Sequence, residues 1–302
     1  MVDITGKINT LRTAIAEAIL KVGSPNTIDL IKNDQIPKGN VFEMSKAAGL
    51  LGIKKTPELL PDCHPLPVES ASIQYEFEEQ SIRILVTVKT IYKTGVEVEA
   101  MTGAGIVALN MYDMLKPVDK QVEIGTIRLL QKEGGKSSRN KIDENLYAAI
   151  IDCSNANTKE SEAENSAKLL SEKLSEFAIK CELHSISSAD ERKLVATLEK
   201  LTDDDSLNLI ICTGGIGVGQ NDITNNVVLR LLDTELKGVS EQINRYRQER
   251  MPYSMLSGSV AGLKNGKIVL TLSDSVEEAT NGINACFPYI LNVFDIIQGK
   301  SI

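Results

Sequence analysis

The stretch Thr94 to Lys116, TGVEVEAMTGAGIVALNMYDMLK, is apolar enough to be core, yet it carries groups capable of proton transfer and anion binding. An unpaired charge in such surroundings is costly, so the mixture marks a candidate site. Ala104 to Leu115 is expected to be helical, and Pro117 stops the helix one residue after Lys116. Its Gly- and Ala-rich early turns suit close packing. On that helix Asp113 and Lys116 stand three residues apart, on one face, and can hold a phosphate and move protons together. The same spacing also describes an ordinary exposed ion pair. Glu97 and Glu99 alternate with valines, so an extended segment there would point both carboxylates to one side.

Outward from this stretch the first half reads as mixed α and β. Leu11 to Leu20 is expected to be an amphipathic helix, and Glu43 to Leu60 a second one, ending near Pro61 with Pro57 in its last turns. Ser72 to Phe77 and Ile82 to Lys89 alternate apolar and polar residues and predict an antiparallel hairpin. Val122 to Leu130 supplies a further strand before the tail Gly134 to Ser138. Helices on one face of an antiparallel sheet make an α+β domain. Upstream of the opening stretch, Leu60 to Leu66 (LPDCHPL) carries Asp62, Cys63 and His64. The backbone of His64 is restricted by Pro65, which can hold its ring in one direction.

The 302 residues suit two domains, each large enough for its own core. Residues 1–140 hold 17 Lys+Arg against 17 Asp+Glu, and residues 141–302 hold 16 against 24, so the whole net charge of −8 lies in the second half. No basic tract interleaved with aromatics is present, which disfavours nucleic acid. Without a long apolar run or a charged-then-apolar leader, a membrane span and a signal peptide are not expected. Five cysteines without a C-x-x-C pair and two histidines disfavour zinc, no residue is assigned as a metal ligand, and free thiols suit the cytoplasm.

The polar run at Ser137 to Glu144 predicts a boundary: a domain over 1–138, a linker at 139–145 and a second domain over 146–302. The second half alternates strand and helix: Leu146 to Ile151, Glu160 to Phe177, Cys181 to Ile186, Asp190 to Leu201, Leu207 to Cys212 and Thr224 to Leu236. Lys267 to Leu272 adds a later strand, and Val276 to Ile297 a closing helical region. This pattern argues for a three-layer α/β domain on a parallel sheet. Its informative loop is Thr213-Gly214-Gly215-Ile216-Gly217-Val218-Gly219-Gln220-Asn221-Asp222, whose glycines allow a sharp turn with free amides at a strand's carboxyl end. It is neither a G-x-G-x-x-G nor a P-loop, and a purely structural turn fits the spacing equally well.

Two family resemblances rest on these residues. MVDIT at the start, PKG at 37–39, AAGLLGIKKT at 47–56, LLPDCHPL, KTGVEVEAMT, YDMLKPVDK and LLQKEGGKSS together resemble cyclic pyranopterin monophosphate synthase, the MoaC family of molybdenum cofactor biosynthesis, over roughly residues 1–138. The resemblance implies a fold similar to ferredoxin-like domains. It also implies rearrangement of a cyclised guanosine triphosphate derivative to a pyranopterin with a cyclic phosphate and loss of pyrophosphate, with no cofactor required. It assigns Asp113 as general acid or base, Lys116 as its charged partner and Lys38 as an aid to proton transfer. Lys7, Arg12, Lys54 and Lys136 are implied to meet the triphosphate, and Asp62, Cys63, His64, Glu97, Val98 and Glu99 the rest of the substrate. Departures from the family pattern are Asn40 in place of Asp, Val98 in place of Met and Pro117 after Lys116.

Residues 145–298 resemble the molybdopterin-binding MoaB and MogA family through Thr213 to Gly215, Asp222 and Leu256-Ser257-Gly258-Ser259-Val260-Ala261-Gly262, with Asp190 and Glu241 as matching acids. Thr213, Gly214, Gly215, Asp222, Asp190, Glu241 and Ser257 are therefore the implied pterin contacts. Magnesium and ATP are implied if this half adenylylates molybdopterin. Asn221 and Gly258 stand where that family has arginine, which removes two bidentate phosphate donors. The alternative is a catalytically silent oligomerisation or product-delivery module. Both families form symmetric assemblies, so a homo-oligomer is expected, with the polyanion site gathered within one chain or across a subunit boundary.

Overall fold

The computed structural model describes residues 1–135, 146–153, 160–186 and 190–300, and the chain divides into two compact units, Met1–Ser138 and Arg139–Ile302. The predicted linker lies outside the described residues.

The first unit runs β1 (Thr10–Lys21), α1 (Pro25–Lys32), α2 (Val41–Leu59), β2 (Ser70–Phe77), β3 (Ser81–Tyr92), α3 (Glu97–Leu115) and β4 (Glu123–Glu133). Its sheet is antiparallel throughout, in the order β2-β3-β1-β4. The helix expected over Leu11 to Leu20 is instead the central strand β1. Ala14, Ala16, Ala18 and Leu20 are all fully buried at a period of two, and small alanines are what a strand beneath a packed helix can accommodate. Alanine's helix propensity is overridden by pairing on both edges, to β3 and to β4. Glu17, on the opposite face, is 2 % exposed and held by Arg83 at 2.7 Å and Arg128 at 2.5 Å.

Helix α2 begins at Asn40, whose side chain accepts from the Glu43 amide, and it carries Pro57 through to Leu59. Residue 40 thus works as a cap in this chain. Helix α3 starts well before Ala104. Glu97 and Glu99 therefore lie in its first turn and not on an extended segment, so their carboxylates do not share one side. Gly49 of α2 and Gly103 of α3 sit against Val107 and Ile53, which allows the two helices to pack closely over the sheet.

The second unit runs β5 (Leu146–Asp152), α4 (Glu160–Ser175), β6 (Ile179–Ser185), α5 (Glu191–Thr202), β7 (Leu209–Thr213), α6 (Thr224–Leu231), β8 (Thr234–Glu235), α7 (Lys237–Gln248), β9 (Ala261–Lys264), β10 (Lys267–Leu272), α8 (Val276–Cys286) and α9 (Val293–Ile297). The sheet order is β6-β5-β7-β10-β9-β8. The purely parallel sheet is corrected to a mixed one: β6, β5, β7 and β10 are parallel, but β9 runs antiparallel to β10, and β8 to β9. The cause is the two-residue turn Asn265-Gly266, with φ of 49° and 74°, which can only join antiparallel neighbours. The helix expected to reach Leu236 ends at Leu231, where the chain turns into β8.

Leu194, Leu198 and Leu201 of α5 and Val227 and Val228 of α6 cover Ile151, Ile210, Cys212 and Val269 on one face of this sheet. On the other face α4 packs on β5, β6 and α8, and Gly282 of α8 meets Leu272. No helix among the described residues is long and apolar enough to cross a membrane.

Candidate active site

A cavity of about 600 Å³ opens where three segments of the first unit meet: Asp62, Cys63 and His64 after α2, Thr94 and Gly95 after β3, and Glu97, Val98 and Glu99 in the first turn of α3. Glu99 is 1 % exposed, and its Oε1 accepts from the Cys63 thiol at 3.3 Å. Burial pushes the Glu99 carboxyl above the usual carboxylate range. Burial, followed by the charge of Glu99, pushes the Cys63 thiol up to about 11, so the thiol keeps its proton at neutral pH. Glu97, also in the lining, pairs with Lys132 at 3.4 Å. Asp62 is exposed and pairs with the Met1 amino group at 2.5 Å.

The second cluster lies at the far end of α3. Asp113 Oδ1 accepts from Lys116 Nζ at 2.7 Å and Oδ2 from Lys38 Nζ at 2.6 Å, while Lys38 Nζ also donates to the Asp113 carbonyl at 2.8 Å. The hydrogen bond from Lys116, then that from Lys38, lowers the Asp113 carboxyl to about 2. An acid held there carries no proton near neutrality, so Asp113 can accept or anchor but not donate. The hydrogen bond to Asp113, and then its charge, holds Lys116 above the ordinary lysine range.

These clusters do not converge within one chain. Glu99 and Asp113 are fourteen residues apart on one helix, a rise of about 21 Å at about 1.5 Å per residue. Arg12 belongs to the cavity end, donating from Nε to the Tyr92 carbonyl at 3.3 Å, just before the Thr94 and Gly95 wall. Lys7 and Lys54 are exposed, and Lys136 lies outside the described residues. Sequence reasoning missed Lys132. It sits inside the quoted LLQKEGG, but only the strand register, which sets it opposite Ala14 on β1, brings it to Glu97.

In the second unit the Thr213 to Asp222 loop leaves the carboxyl end of β7, where ligands of open α/β sheets commonly bind. Thr213, Gly214 and Gly215 are buried, and Asp222 Oδ2 accepts from the Gly219 amide at 2.8 Å. Asn225, unread in the sequence, ties the loop to the Leu256–Gly262 segment: its Nδ2 donates to the Gly258 carbonyl at 2.6 Å, and the Gly258 amide donates to the Ile216 carbonyl at 3.2 Å. Asp190 caps α5 through the Lys193 amide, and Glu241 is exposed on α7. Ser257 meets Arg247 Nη2 at 2.8 Å, and that guanidinium, fully buried, pairs with Glu278 at 2.5 Å. Asp222 and Asp190 thus both already accept main-chain amides, and no group of three potential metal ligands gathers among the described residues. No step through magnesium and ATP follows from this geometry.

Residues 1–135 match the MoaC family, and residues 149–292 match a family described as "Probable molybdopterin binding domain". A molybdenum cofactor biosynthesis bifunctional protein of Chlorobaculum tepidum is 33% identical over 99% of this chain and 95% of its own length. The chain belongs to the bifunctional molybdenum cofactor biosynthesis proteins. A second member of this family, from Synechococcus elongatus, is 30% identical over 99% of the chain and 98% of its own length. The N-terminal half alone is 49% identical to a cyclic pyranopterin monophosphate synthase of Clostridium perfringens, over 45% of this chain and 87% of that protein.

Proposed function

We propose that the N-terminal unit converts a cyclised guanosine triphosphate derivative to cyclic pyranopterin monophosphate with release of pyrophosphate, in a site completed by two copies of the chain. The supporting observation is the Asp113 carboxylate clamped between two ammonium groups, one of them from 75 residues away. In this reading Lys38 and Lys116 stabilise anionic intermediates and exchange protons with the substrate. Asp113 holds both in place and aimed. Cys63, His64 and Glu99 at the cavity hold the pterin end, whose amino groups need acceptors. Arg12, Lys7, Lys54 and Lys136 meet the triphosphate. Because the two clusters occupy opposite ends of α3, a homo-oligomer that sets the Asp113 end of one copy beside the cavity of another accounts for both.

The test is complementation. Asp113→Asn and His64→Ala copies, each inactive alone, are co-assembled. Random pairing should restore about a quarter of wild-type turnover. A mixture as dead as its parents would refute the shared site.

We also read the N-terminal unit as ferredoxin-like. The order β2-β3-β1-β4 with helices between β1 and β2 and between β3 and β4 supports it. The C-terminal unit is read as binding molybdopterin at the Thr213 to Asp222 loop, with adenylylation a separate question. Equilibrium binding of molybdopterin to the full chain, weakened by Asp222→Ala, tests the first. Magnesium-dependent consumption of ATP with molybdopterin tests the second.

A further inference from the structure

Strand β4 is followed by Gly134 and Gly135, both in the left-handed region at φ of 97° and 66°. Both glycines lie against Arg12, but Gly134 also meets the main chain of β1. A methyl group on Gly134 would overlap the Leu11 carbonyl oxygen, which is main chain of β1 and cannot move without disturbing the sheet. A methyl group on Gly135 would overlap the guanidinium of Arg12, the far end of a flexible side chain. The first glycine is therefore demanded by the fold. The second is demanded by its left-handed backbone and by where the Arg12 side chain lies.

Arg12 is half-buried and its Nε is fixed by the Tyr92 carbonyl at 3.3 Å. Among the described residues Nη1 and Nη2 make no hydrogen bond, so the outer edge of the fork is available to an anion. A planar, partly desolvated guanidinium whose Nη1 and Nη2 are unpaired among the described residues is suited to bidentate contact with a phosphate. Its neighbours along the chain are consistent with that place. Tyr92 leads into the Thr94 and Gly95 wall of the cavity, and Lys132, two residues before Gly134, reaches Glu97 of the same wall. With Tyr92 fixing one side and a bare Cα beneath, the fork has little room to swing.

We propose that Gly135 is a positioning residue: its missing side chain leaves a flat seat on which the Arg12 guanidinium lies, aimed at the substrate's phosphates. This rests on the reading that Arg12 contacts the triphosphate. Ordering the fork before substrate arrives lowers the cost of binding and does nothing to the chemical step, so the seat acts on KM and leaves kcat alone.

The test measures both constants in the full-length protein for Arg12→Ala, Gly135→Ala and the double variant. Arg12→Ala is expected to raise KM about tenfold or more, the scale of one charge-assisted contact, with kcat within about twofold. Gly135→Ala should do nearly the same. The double variant should be no worse than Arg12→Ala, because a seat without an occupant has nothing left to lose. Gly266→Ala, at a φ of 74° with open space around its Cα, carries similar backbone strain elsewhere and should leave KM unchanged.

Added guanidinium ion gives a readout that does not depend on the stability of Gly135→Ala alone. It should lower KM for Arg12→Ala and fail to do so for the double variant, whose methyl group fills the seat. Wild-type KM in Gly135→Ala, or losses that add fully in the double variant, would overturn the role of Gly135 while leaving Arg12 its own. An unchanged KM in Arg12→Ala would remove the phosphate contact and the proposal with it, without touching Asp113 or the lysines.

Discussion

The two halves of this chain treat their charged residues in opposite ways. In the first unit Asp113, Lys38 and Lys116 pair with one another while each side chain stays between 38% and 51% exposed, so the cluster is neutralised but can still be reached. In the second unit Arg247 has no exposed surface, and its charge is met by Glu278 with Ser254 and Ser257 closing around the pair. A pair open to solvent is worth little to stability and much to a ligand. A buried pair is the reverse: removing one partner strands the other in a poor dielectric. Composition runs the same way, since the half with balanced charge keeps its cations reachable while the half holding the −8 excess has one arginine wholly inside. The same residue types thus stay within reach of solvent in one unit and are sealed inside the other.

The largest expected effect breaks the comparison if it fails. Asp113→Asn keeps the shape of the cluster with Lys38 and Lys116 but removes the charge that both lysines share. Product formation should fall by about 10³-fold, with substrate binding changed far less. Near-normal turnover in a direct product assay would put Asp113 back among ordinary surface ion pairs.

The converse experiment is on the second unit. Glu278→Ala leaves a buried guanidinium without its counter-charge and should cost about 3–5 kcal/mol, seen in denaturant unfolding of the C-terminal unit. N-terminal turnover should not change. Replacing both partners, as in Arg247→Met with Glu278→Leu, should recover most of the loss. If Glu278→Ala instead costs nothing, the pair is not what holds that corner together.

Glu17 sharpens the contrast, because it is a buried carboxylate in the first unit whose partners are not buried: Arg83 is 32% and Arg128 63% exposed. Burial opposes its charge, yet hydrogen bonds from the two arginines outweigh that and hold the group below its ordinary value of 4.5. A depressed carboxyl adds stability above its unfolded value and loses it as pH falls through the folded one. The first unit should therefore weaken on acidification below about pH 4.5, and Glu17→Gln, costing about 2 kcal/mol at neutral pH, should flatten that decline. Unfolding midpoints measured from pH 7 to pH 3 decide it.

How much of this could be read beforehand follows from the range of each interaction. Asp113 and Lys116 are three residues apart, and helical periodicity alone joins them. Lys38 arrives through tertiary folding, and the family resemblance was needed to place it nearby. The hairpin β2–β3 and the alternation in the second unit were legible because period two and the strand-helix rhythm are local signals. Strand β1 was not: Thr-Ala-Ile-Ala-Glu-Ala-Ile reads as helix on propensity, and the deciding fact is that β3 and β4 pair on either side of it. The same limitation hid the separation of the two clusters along α3. With Glu97 and Glu99 read as extended, nothing fixed their distance from Asp113, whereas one continuous helix sets it. The Asn265-Gly266 turn was a local signal for an antiparallel pair that went unread.

The smallest effect concerns the cavity itself and asks whether its buried acid is coupled to its thiol. Cys63 is raised to about 11 first by burial and then by the negative charge of Glu99, 3.3 Å away. At pH 8 almost no thiolate should be present, so alkylation by iodoacetamide should be much slower than for an exposed cysteine. Glu99→Gln removes the second cause but leaves the first, and the reaction should accelerate only severalfold, with its pH profile shifted downward. Because burial dominates, a rise to the rate of a free thiol would mean that the substitution had opened the cavity. No change at all would mean that Glu99 already carries a proton, and a neutral acid beside a neutral thiol would then make the cavity end the proton donor that Asp113, held at about 2, cannot be.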